Sequence, residues 1–155
     1  MSTWAEFESQ APDLAVRVRA RFEAHKHLLI ATLRRDGAPR ISGTEAPIGA
    51  GELWLGCMPG AMKGRDLLRD SRFALHSAPL DLKLADGDAK VSGRALEVTD
   101  EPTLKRFWAS AGHDPMAALV FRCELEEAAL TTVDGDDLVI DAWRAGEAPR
   151  QVRRR

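Results

Sequence analysis

Apolar residues recur every four positions over the range 13–25: Leu14, Val18 and Phe22. This spacing predicts an amphipathic helix, and Pro12 suits its first turn, where a missing N–H needs no partner. A second helix is predicted from Asp100, a good N-cap residue, to Gly112, and a short third one over residues 62–70. The aromatic residues that precede Pro12 are expected to form a preliminary turn or a packing arm.

Between these helices, apolar runs bounded by turn residues predict seven strands: 27–33, 40–46, 52–57, 72–77, 89–98, 121–126 and 138–143. Asp36-Gly37 and Asp134-Gly135 are hairpin signals, and Gly93 is expected to form a bulge within its strand. Seven short strands with mostly hairpin connections and about three helices predict a mainly β domain. We expect a closed or nearly closed antiparallel β-barrel of six to seven strands with peripheral helices.

Composition and charge narrow the class of protein. The chain has 155 residues, enough for one domain with a proper core, and its formal net charge of -2 gives no general attraction to nucleic acid or anionic membranes. No apolar run approaches the length of about 18 residues that a membrane helix needs, and no signal peptide is visible. We expect a cytoplasmic protein without nucleic-acid or membrane partners, with one domain over residues 1–146 and a disordered basic tail over residues 147–155.

The two cysteines and the histidines suggest no metal site. Cys57 and Cys123 fit no metal or redox spacing and are expected to be small core residues. His25 and His27 flank a predicted helix end and lack a third ligand. The remaining histidines, His76 and His113, and the tryptophans 54, 108 and 143 are expected to be structural, in the core or at an interface.

The stretch Gly-Ala-Met-Lys-Gly-Arg-Asp at residues 60–66 carries the clearest candidate chemistry. It follows a predicted strand and opens the short helix, so Lys63 and Arg65 lie in a first turn, where cations are disfavoured by roughly 0.3–1 kcal/mol. A bound phosphate would reverse that effect, because free backbone N–H groups and cations would converge on one anion. Two solvated surface charges, with or without a partner in Asp66 or Asp70, are an equally simple interpretation.

With its strands in this order, the chain resembles the flavin-binding split-barrel superfamily, specifically the pyridoxamine 5'-phosphate oxidase-like proteins, over roughly residues 25–143. The matching features include the strands at 40–46, 53–57 and 89–98 and the last strand into 143–146. The most specific one is Lys63 followed by a short helix and Asp-Ser-Arg-Phe-Ala-Leu at 70–75. The resemblance implies a split barrel, a homodimer with cofactor sites at the subunit interface, and FMN, deazaflavin F420, haem or no cofactor.

The resemblance also implies roles for individual residues. Lys63 corresponds to the family's phosphate-binding lysine, and Arg40 would offer the phosphate a second cation. The strand Arg-Ile-Ser-Gly-Thr-Glu at 40–45 would lie under the isoalloxazine ring, and its backbone would offer hydrogen bonds to the ring edge together with Ser42 and Thr44. The expected cofactor-binding residues are Arg40, Ser42, Gly43, Thr44, Cys57, Met58, Met62 and Lys63.

Four positions depart from the oxidases of this family. Met62 stands where they have a second basic residue, and Glu45 stands where they have a lysine. The carboxylate of Glu45 should weaken FMN binding unless it points away or pairs with Arg65. Cys57 and Met58 match a strand end whose hydroxyl groups usually touch the phosphate, and neither donates a strong hydrogen bond.

These departures shape the expected function. No histidine follows His113, so the C-terminal histidine that holds pyridoxamine phosphate in the true oxidases is missing. We expect an FMN- or F420-dependent oxidoreductase acting on a small organic substrate. No catalytic residue is assigned, because the flavin itself carries hydride chemistry. The alternative is a non-catalytic, haem-binding or haem-degrading barrel with His25 or His76 as ligand.

Overall fold

The computed structural model describes residues 1–79 and 82–155, and within them the chain forms four helices and nine strands. The helices are α1 (Trp4–Gln10), α2 (Pro12–Glu23), α3 (Met62–Arg69) and α4 (Glu101–Ala111). The strands are β1 (Leu28–Leu33), β2 (Pro39–Thr44), β3 (Ile48–Gly49), β4 (Glu52–Cys57), β5 (Arg72–His76), β6 (Asp88–Glu97), β7 (Leu119–Asp134), β8 (Asp137–Arg144) and β9 (Arg150–Arg154).

The first helix, α1, replaces the turn or packing arm expected before Pro12. Its start is a capping box, in which the Glu6 backbone N–H donates to Thr3 Oγ1 at 3.1 Å and the Thr3 N–H donates to the Glu6 carboxylate at 2.7 Å. Trp4 and Phe7 are fully buried, so α1 is held by the core as well as by its cap. The described residues therefore contain one helix more than the sequence predicts.

The strands form one antiparallel sheet in the order β2-β1-β5-β6-β7-β4-β3, with β8 and β9 added beside β7. Strand β7 has 16 residues, so it pairs with β6 along one edge and with β4 and then β8 along the other. Strands β2 and β4 approach each other, but no ladder between them closes the ring among the described strands. The described strands thus form an open sheet of nine strands, where a closed or nearly closed barrel of six to seven strands was expected.

The bulge expected at Gly93 is confirmed. The register of β6 on β7 shifts between Ser92 and Gly93, and the backbone of Glu124 lies so close that a Cβ at Gly93 would collide with its carbonyl oxygen. Such a bulge bends the strand and adds twist to the sheet.

Residues expected to form a disordered tail instead form β9, which pairs with β8 along residues 138–142. Acidic residues around the β7–β8 turn compensate the tail's positive charge. Arg153 lies 2.9 Å from the Asp134 carboxylate and 3.8 Å from that of Asp137, and Gln151 donates to Asp141 at 2.8 Å. The sheet therefore extends through residue 154.

The core lies between one face of the sheet and helices α1 and α2, with a smaller cluster around Trp54 and Phe107 under α4. Cys57 and Cys123 are buried in the main core, as expected. The opposite face, called the outer face below, carries small side chains on five strands: Ala31, Ala74 and Ser92 pair across β1, β5 and β6, and Ala129 pairs with Ala142 across β7 and β8. None of the described helices is long and apolar enough to span a membrane.

Candidate anion-binding site

The N-terminus of α3 has unpaired backbone N–H groups. Ala61 is its N-cap and supplies no side-chain acceptor, and the first intrahelical bond runs from Arg65 N to Ala61 O at 3.1 Å. The N–H groups of residues 62–64 therefore have no partner within the helix. Together with the positive end of the helix dipole, they form a start that favours an anion.

Lys63 connects this helix start with the edge of the sheet. Its half-buried side chain reaches β2, where Nζ donates to the Gly43 carbonyl oxygen at 2.6 Å. In an antiparallel strand, both backbone groups of a residue point to the same side. Among the described strands β2 pairs with β1 alone, so Gly43 and Ile41 direct their N–H and C=O groups to an unpaired edge.

A buried cluster lies one helical turn beyond Lys63, and we call its four residues Thr32, Arg40, Asp66 and Arg69 the Asp66 cluster. The Asp66 side chain is almost completely buried and accepts three hydrogen bonds, from Arg40 Nε at 2.7 Å, Thr32 Oγ1 at 2.8 Å and Arg69 Nη2 at 3.0 Å. Arg69 also donates to the Leu33 carbonyl at 2.6 Å. The cluster therefore joins α3 to β1 and β2.

The protonation of Asp66 follows from these contacts. Burial desolvates the carboxyl and by itself raises its pKa, but the hydrogen bonds from Arg40, Thr32 and Arg69 favour the charged form. The net result is a pKa below the usual value for an aspartate. Asp66 is therefore a carboxylate at neutral pH, and its charge is compensated by Arg40 and Arg69.

The other residues expected at the site lie around the start of α3. Cys57 is buried beneath Gly64, where burial raises the pKa of its thiol and the Lys63 ammonium offsets part of that effect. Met58 and Met62 are exposed, with 78% and 50% of their surface accessible. Cys57 thus supports the helix from inside, and the two methionines lie at the surface beside it.

On β2, Arg40, Ser42 and Thr44 occupy one face because side chains alternate along a strand. Ser42 is half-buried, and Thr44 is buried with its hydroxyl donating to the Glu45 carbonyl at 3.0 Å. The structure brings Lys63 and Gly43 into direct contact and connects Arg40 to their helix through Asp66. The Thr44 hydroxyl is already satisfied by the chain itself.

Sequence reasoning missed the Asp66 cluster. The pairing of Lys63 and Arg65 with Asp66 or Asp70, one part of the simple interpretation of the basic turn, is not found among the described residues, because Asp66 pairs with Arg40 and Arg69 while Asp70 pairs with Arg72 at 2.6 Å. The available local signal was the spacing of three residues between Asp66 and Arg69, which puts both on one helix face, whereas nothing local indicates the pairing with Arg40.

Glu45 does not pair with Arg65. Its carboxylate lies 3.5 Å from Lys26 Nζ and 3.9 Å from His27 Nε2, at the junction before β1. About half of the Glu45 side chain and most of the other two side chains are exposed. The acidic residue that we expected to oppose a phosphate therefore has basic neighbours of its own.

A second feature is a groove of about 590 Å³ on the outer face, lined mainly by apolar side chains of β1, β2, β5, β6, β7 and β8. His76 forms part of its wall, and His76 Nδ1 lies 2.5 Å from the Ser77 carbonyl, which fixes that nitrogen as the donor. Nε2 lies 3.9 Å from Asp88. Within residues 1–79 and 82–155, no three metal-ligating side chains converge.

The histidines and tryptophans occupy different environments. His25 and His113 are exposed and away from this groove, and His113 Nδ1 lies 3.0 Å from the Asp114 carbonyl. Trp54 and Trp143 are buried, as expected for core residues, and the Trp143 indole donates to Gln10 Oε1 at 3.0 Å. Trp143 also borders the groove from below.

Comparison with known proteins identifies relatives of this chain. Residues 14–140 match the sequence model of the pyridoxamine 5'-phosphate oxidase family. No curated protein has a significant match to the chain.

Solved structures share the fold at low sequence identity. The haem-binding protein from Mycobacterium smegmatis superposes with a TM-score of 0.64 at 18% identity. The match covers 83% of this chain but only 56% of that protein, so this chain spans little more than half of its length. A pyridoxamine 5'-phosphate oxidase-related, FMN-binding protein from Nostoc punctiforme gives 0.63 at 9% identity, with 94% and 96% of the two chains covered. PhzG from Burkholderia lata, solved with tetrahydrophenazine-1-carboxylic acid, gives 0.60 at 15% identity, with 93% and 89% covered.

Proposed function

The chain belongs to the pyridoxamine 5'-phosphate oxidase family, and on this premise we propose that it binds FMN and acts as an oxidoreductase on a small organic substrate. The observation that carries the proposal is Lys63, which lies at an uncapped helix start and reaches the unpaired edge of β2 at Gly43. Lys63 would thereby contact both the FMN phosphate at the start of α3 and the edge of the strand β2, along which the flavin ring would lie. The FMN-binding relative from Nostoc punctiforme has the same fold.

The residues around α3 fit a phosphate group. The N–H groups of residues 62–64 are free, and Lys63 Nζ has three donors of which one is used by Gly43. Arg40 adds a second cation, a guanidinium that uses Nε for Asp66. Met62 contributes no charge, so the site is weaker in cations than one with two adjacent basic residues.

The same geometry favours FMN over the deazaflavin F420, which remains the alternative cofactor. F420 carries a polyglutamate tail and therefore needs a broad basic surface. Arg69 and Arg72, which could supply it, are already paired with Asp66 and Asp70. Arg65 alone of this group has no acidic partner among the described residues.

The protein's contribution would be to hold and orient the flavin. A bound flavin supplies hydride transfer, so the chain needs no acid or base for that step. Lys63 and the start of α3 hold the anion, and the edge groups of Ile41 and Gly43 offer a donor and an acceptor to a ring. The close packing of Gly64 against the buried Cys57 keeps the helix start in place.

We propose further that the protein is a homodimer that uses the outer face. Several large apolar side chains are exposed on this face, namely Leu29, Ile41, Val133, Leu138 and Val152. They lie around the small side chains and the groove of this face, so much of the face is apolar although Lys90, Glu127 and Arg144 also line the groove. A monomer rarely exposes a large apolar surface, and a second copy is its simplest cover.

Titration of the purified protein with FMN and with F420 tests the proposed cofactor. We expect FMN fluorescence to be quenched on binding and its visible absorbance to shift, with weaker binding of F420. The Lys63→Ala variant should lose most of the affinity, whereas Arg65→Ala, on the same helix turn, should retain it. Wild-type protein that binds neither compound would refute the proposal.

Haem is a second candidate because His76 lies in the wall of the outer groove with Nδ1 engaged by Ser77, so Nε2, which lies 3.9 Å from Asp88, is the nitrogen that could bind iron. The relative from Mycobacterium smegmatis is a haem-binding protein. A Soret band that appears on haem addition, is lost in His76→Ala and persists in His25→Ala would support this function. Equal spectra for both variants would exclude His76 as the ligand.

A further inference from the structure

We propose that Asp66 is a positioning residue for the anion site, because it fixes Arg40 so that the arginine's two terminal nitrogens stay free for the ligand. This inference rests on the proposed function of Lys63 and α3. It adds a role for a buried carboxylate that touches neither a ring nor a phosphate itself. The role follows from three observations on the Asp66 cluster.

The first observation is which nitrogen of Arg40 is used. Asp66 accepts from Nε at 2.7 Å, and no other acceptor for Arg40 is found among the described residues. Nη1 and Nη2 are not among the fully buried unpaired atoms, so both reach solvent. The side chain of Arg40 is only 16% exposed, so most of it is buried while its unpaired terminal nitrogens keep some contact with solvent.

The second observation is how firmly Asp66 is held. Thr32 donates to the same carboxylate oxygen as Arg40, and Arg69 donates to the other oxygen while also bonding to the Leu33 carbonyl. Asp66 thus has partners on β1, β2 and α3. A free arginine loses much side-chain entropy when it binds an anion, and a carboxylate that already orders it removes part of that cost.

The third observation is the position of Asp66 in α3. It follows Lys63 by three residues, so the two side chains project from the same face of the helix, Lys63 toward Gly43 and Asp66 toward Arg40. The two cations proposed to meet the anion are therefore set at a fixed separation by one residue. Asp66 touches Arg40 directly and shares its helix with Lys63.

Positioning and simple electrostatics predict opposite results for Asp66→Asn. If the carboxylate acted only as a negative charge near the site, its removal would strengthen the binding of an anion. If it positions Arg40, its removal weakens that binding by about tenfold, the size of effect typical for directly coupled neighbours. The sign of the change therefore separates the two explanations.

The experiment measures dissociation constants for FMN and for inorganic phosphate together with the Arg40 Nε–H signal in ¹⁵N–¹H NMR spectra. Arg40→Met assigns the signal. In the wild type it should be protected from exchange; it should disappear in Asp66→Asn and remain in Asp70→Asn. That control removes a carboxylate at the end of the same helix whose partner is Arg72 and not Arg40, and its affinity for both ligands should change by less than about twofold.

A double-mutant cycle completes the test. In the Arg40→Met background, Asp66→Asn should have no further effect on the affinity, because a positioning residue acts only through the group that it positions. An equal effect with and without Arg40, or tighter binding by Asp66→Asn, overturns the inference. If Asp66→Asn does not fold, Asp66→Glu retains the charge, displaces the carboxylate and should show the same loss of affinity.

The two ligands separate this inference from the proposed function. If the wild type binds phosphate in an Asp66-dependent way but does not bind FMN, the flavin proposal fails and the role of Asp66 stands. If FMN binds with an affinity that Asp66→Asn does not reduce, the function stands and the inference fails. If neither ligand binds to the wild type, both are refuted.

Discussion

The Nζ of Lys63 lies 2.6 Å from the carbonyl oxygen of Gly43, so a helix start and an unpaired strand edge are joined by one side chain. The two residues are 20 positions apart in sequence and belong to α3 and β2. The contact satisfies a carbonyl that has no partner strand and places a cation beside three free N–H groups. Both halves of the proposed cofactor site depend on this contact.

Replacing Lys63 should weaken the binding of FMN while leaving the stability of the fold almost unchanged. A hydrogen bond to a charged group contributes about 1.5–3 kcal/mol, so Lys63→Met should weaken FMN binding by about 10- to 100-fold. Because the lysine is only half-buried, its removal should change the free energy of unfolding by less than about 1 kcal/mol. Fluorescence titration and chemical denaturation measure the two quantities.

Arg65→Met is the matched control, since Arg65 also lies in the first turn of α3 and is exposed. We expect its FMN affinity to stay within about threefold of the wild type, as for a screened surface charge. Equal losses in both variants would mean that general positive charge, and not the Lys63 contact, attracts the ligand.

Gly64 should be required for the close packing of α3 against the core. A Cβ at this position would lie 2.8 Å from Leu119 Cδ1 and 3.2 Å from Cys57 Sγ. Gly64→Ala should therefore reduce the free energy of unfolding by about 1–3 kcal/mol through overpacking, although alanine favours helix. Gly43→Ala is the control, because a Cβ there meets nothing within 4 Å, and it should change stability by less than about 0.5 kcal/mol. A stable Gly64→Ala protein would show that the helix can move outward freely.

A charge on the outer face should disrupt the proposed homodimer. Leu138 is 42% exposed and pairs across the strands with Val133, which is 43% exposed, in the apolar part of this face. We expect Leu138→Lys to convert a dimer to a monomer in light-scattering measurements, because burying an unpaired ammonium is strongly unfavourable. Val16→Lys, at a 68% exposed position of α2, should leave the dimer intact. A monomeric wild type would refute the assembly itself.

Local sequence was sufficient for elements with strong periodicity or clear caps. The helix after Asp100 begins where predicted, with the Asp100 carboxylate accepting from Thr103 N at 3.0 Å, and α2 begins at Pro12. The bulge at Gly93 was also predicted, because an isolated glycine in a long strand often marks one. These features depend on neighbours within a few residues.

Contacts between distant residues were not predictable in the same way. Arg40 and Asp66 are 26 residues apart, and nothing in either segment indicates the pairing, although it decides which nitrogens of Arg40 remain free. Strand β9 was missed because an arginine-rich end resembles a solvated tail until Asp134 and Asp137 are placed beside it. The position of Lys63 at a helix start was predictable because its signal, a cation in the first turn of a helix, is local.

Acid should destabilise the protein through Asp66. Its folded pKa lies below the ordinary value of 3.8, because the hydrogen bonds in its cluster outweigh the desolvation that opposes them. The unfolded chain therefore binds more protons in this range, so the stabilisation is present above about pH 4 and is lost as the pH falls through the folded pKa. Asp66→Asn should be less stable by about 3 kcal/mol at pH 7, and this deficit should shrink as the pH is lowered from 4 to 2. Guanidinium denaturation at several pH values measures it, and a constant deficit would contradict the assignment.

A lysine at position 62 should strengthen anion binding but lower the stability of the ligand-free protein. Met62 is half-exposed in the first turn of α3, where the family's oxidases have a basic residue and where the helix dipole disfavours a bare cation by roughly 0.3–1 kcal/mol. Met62→Lys should therefore lower the free energy of unfolding by about that amount without ligand and raise FMN affinity by about three- to tenfold, more strongly at low salt.

Leu68→Lys separates this effect from the mere addition of charge, because Leu68 is 49% exposed on the same helix but lies in its last turn. There the dipole favours a cation, so the variant should be as stable as the wild type and should bind FMN with nearly unchanged affinity. If both lysines raise the affinity equally, the anion is attracted to the surface as a whole. If Met62→Lys alone does so, and loses the advantage in high salt, the phosphate lies at the start of α3.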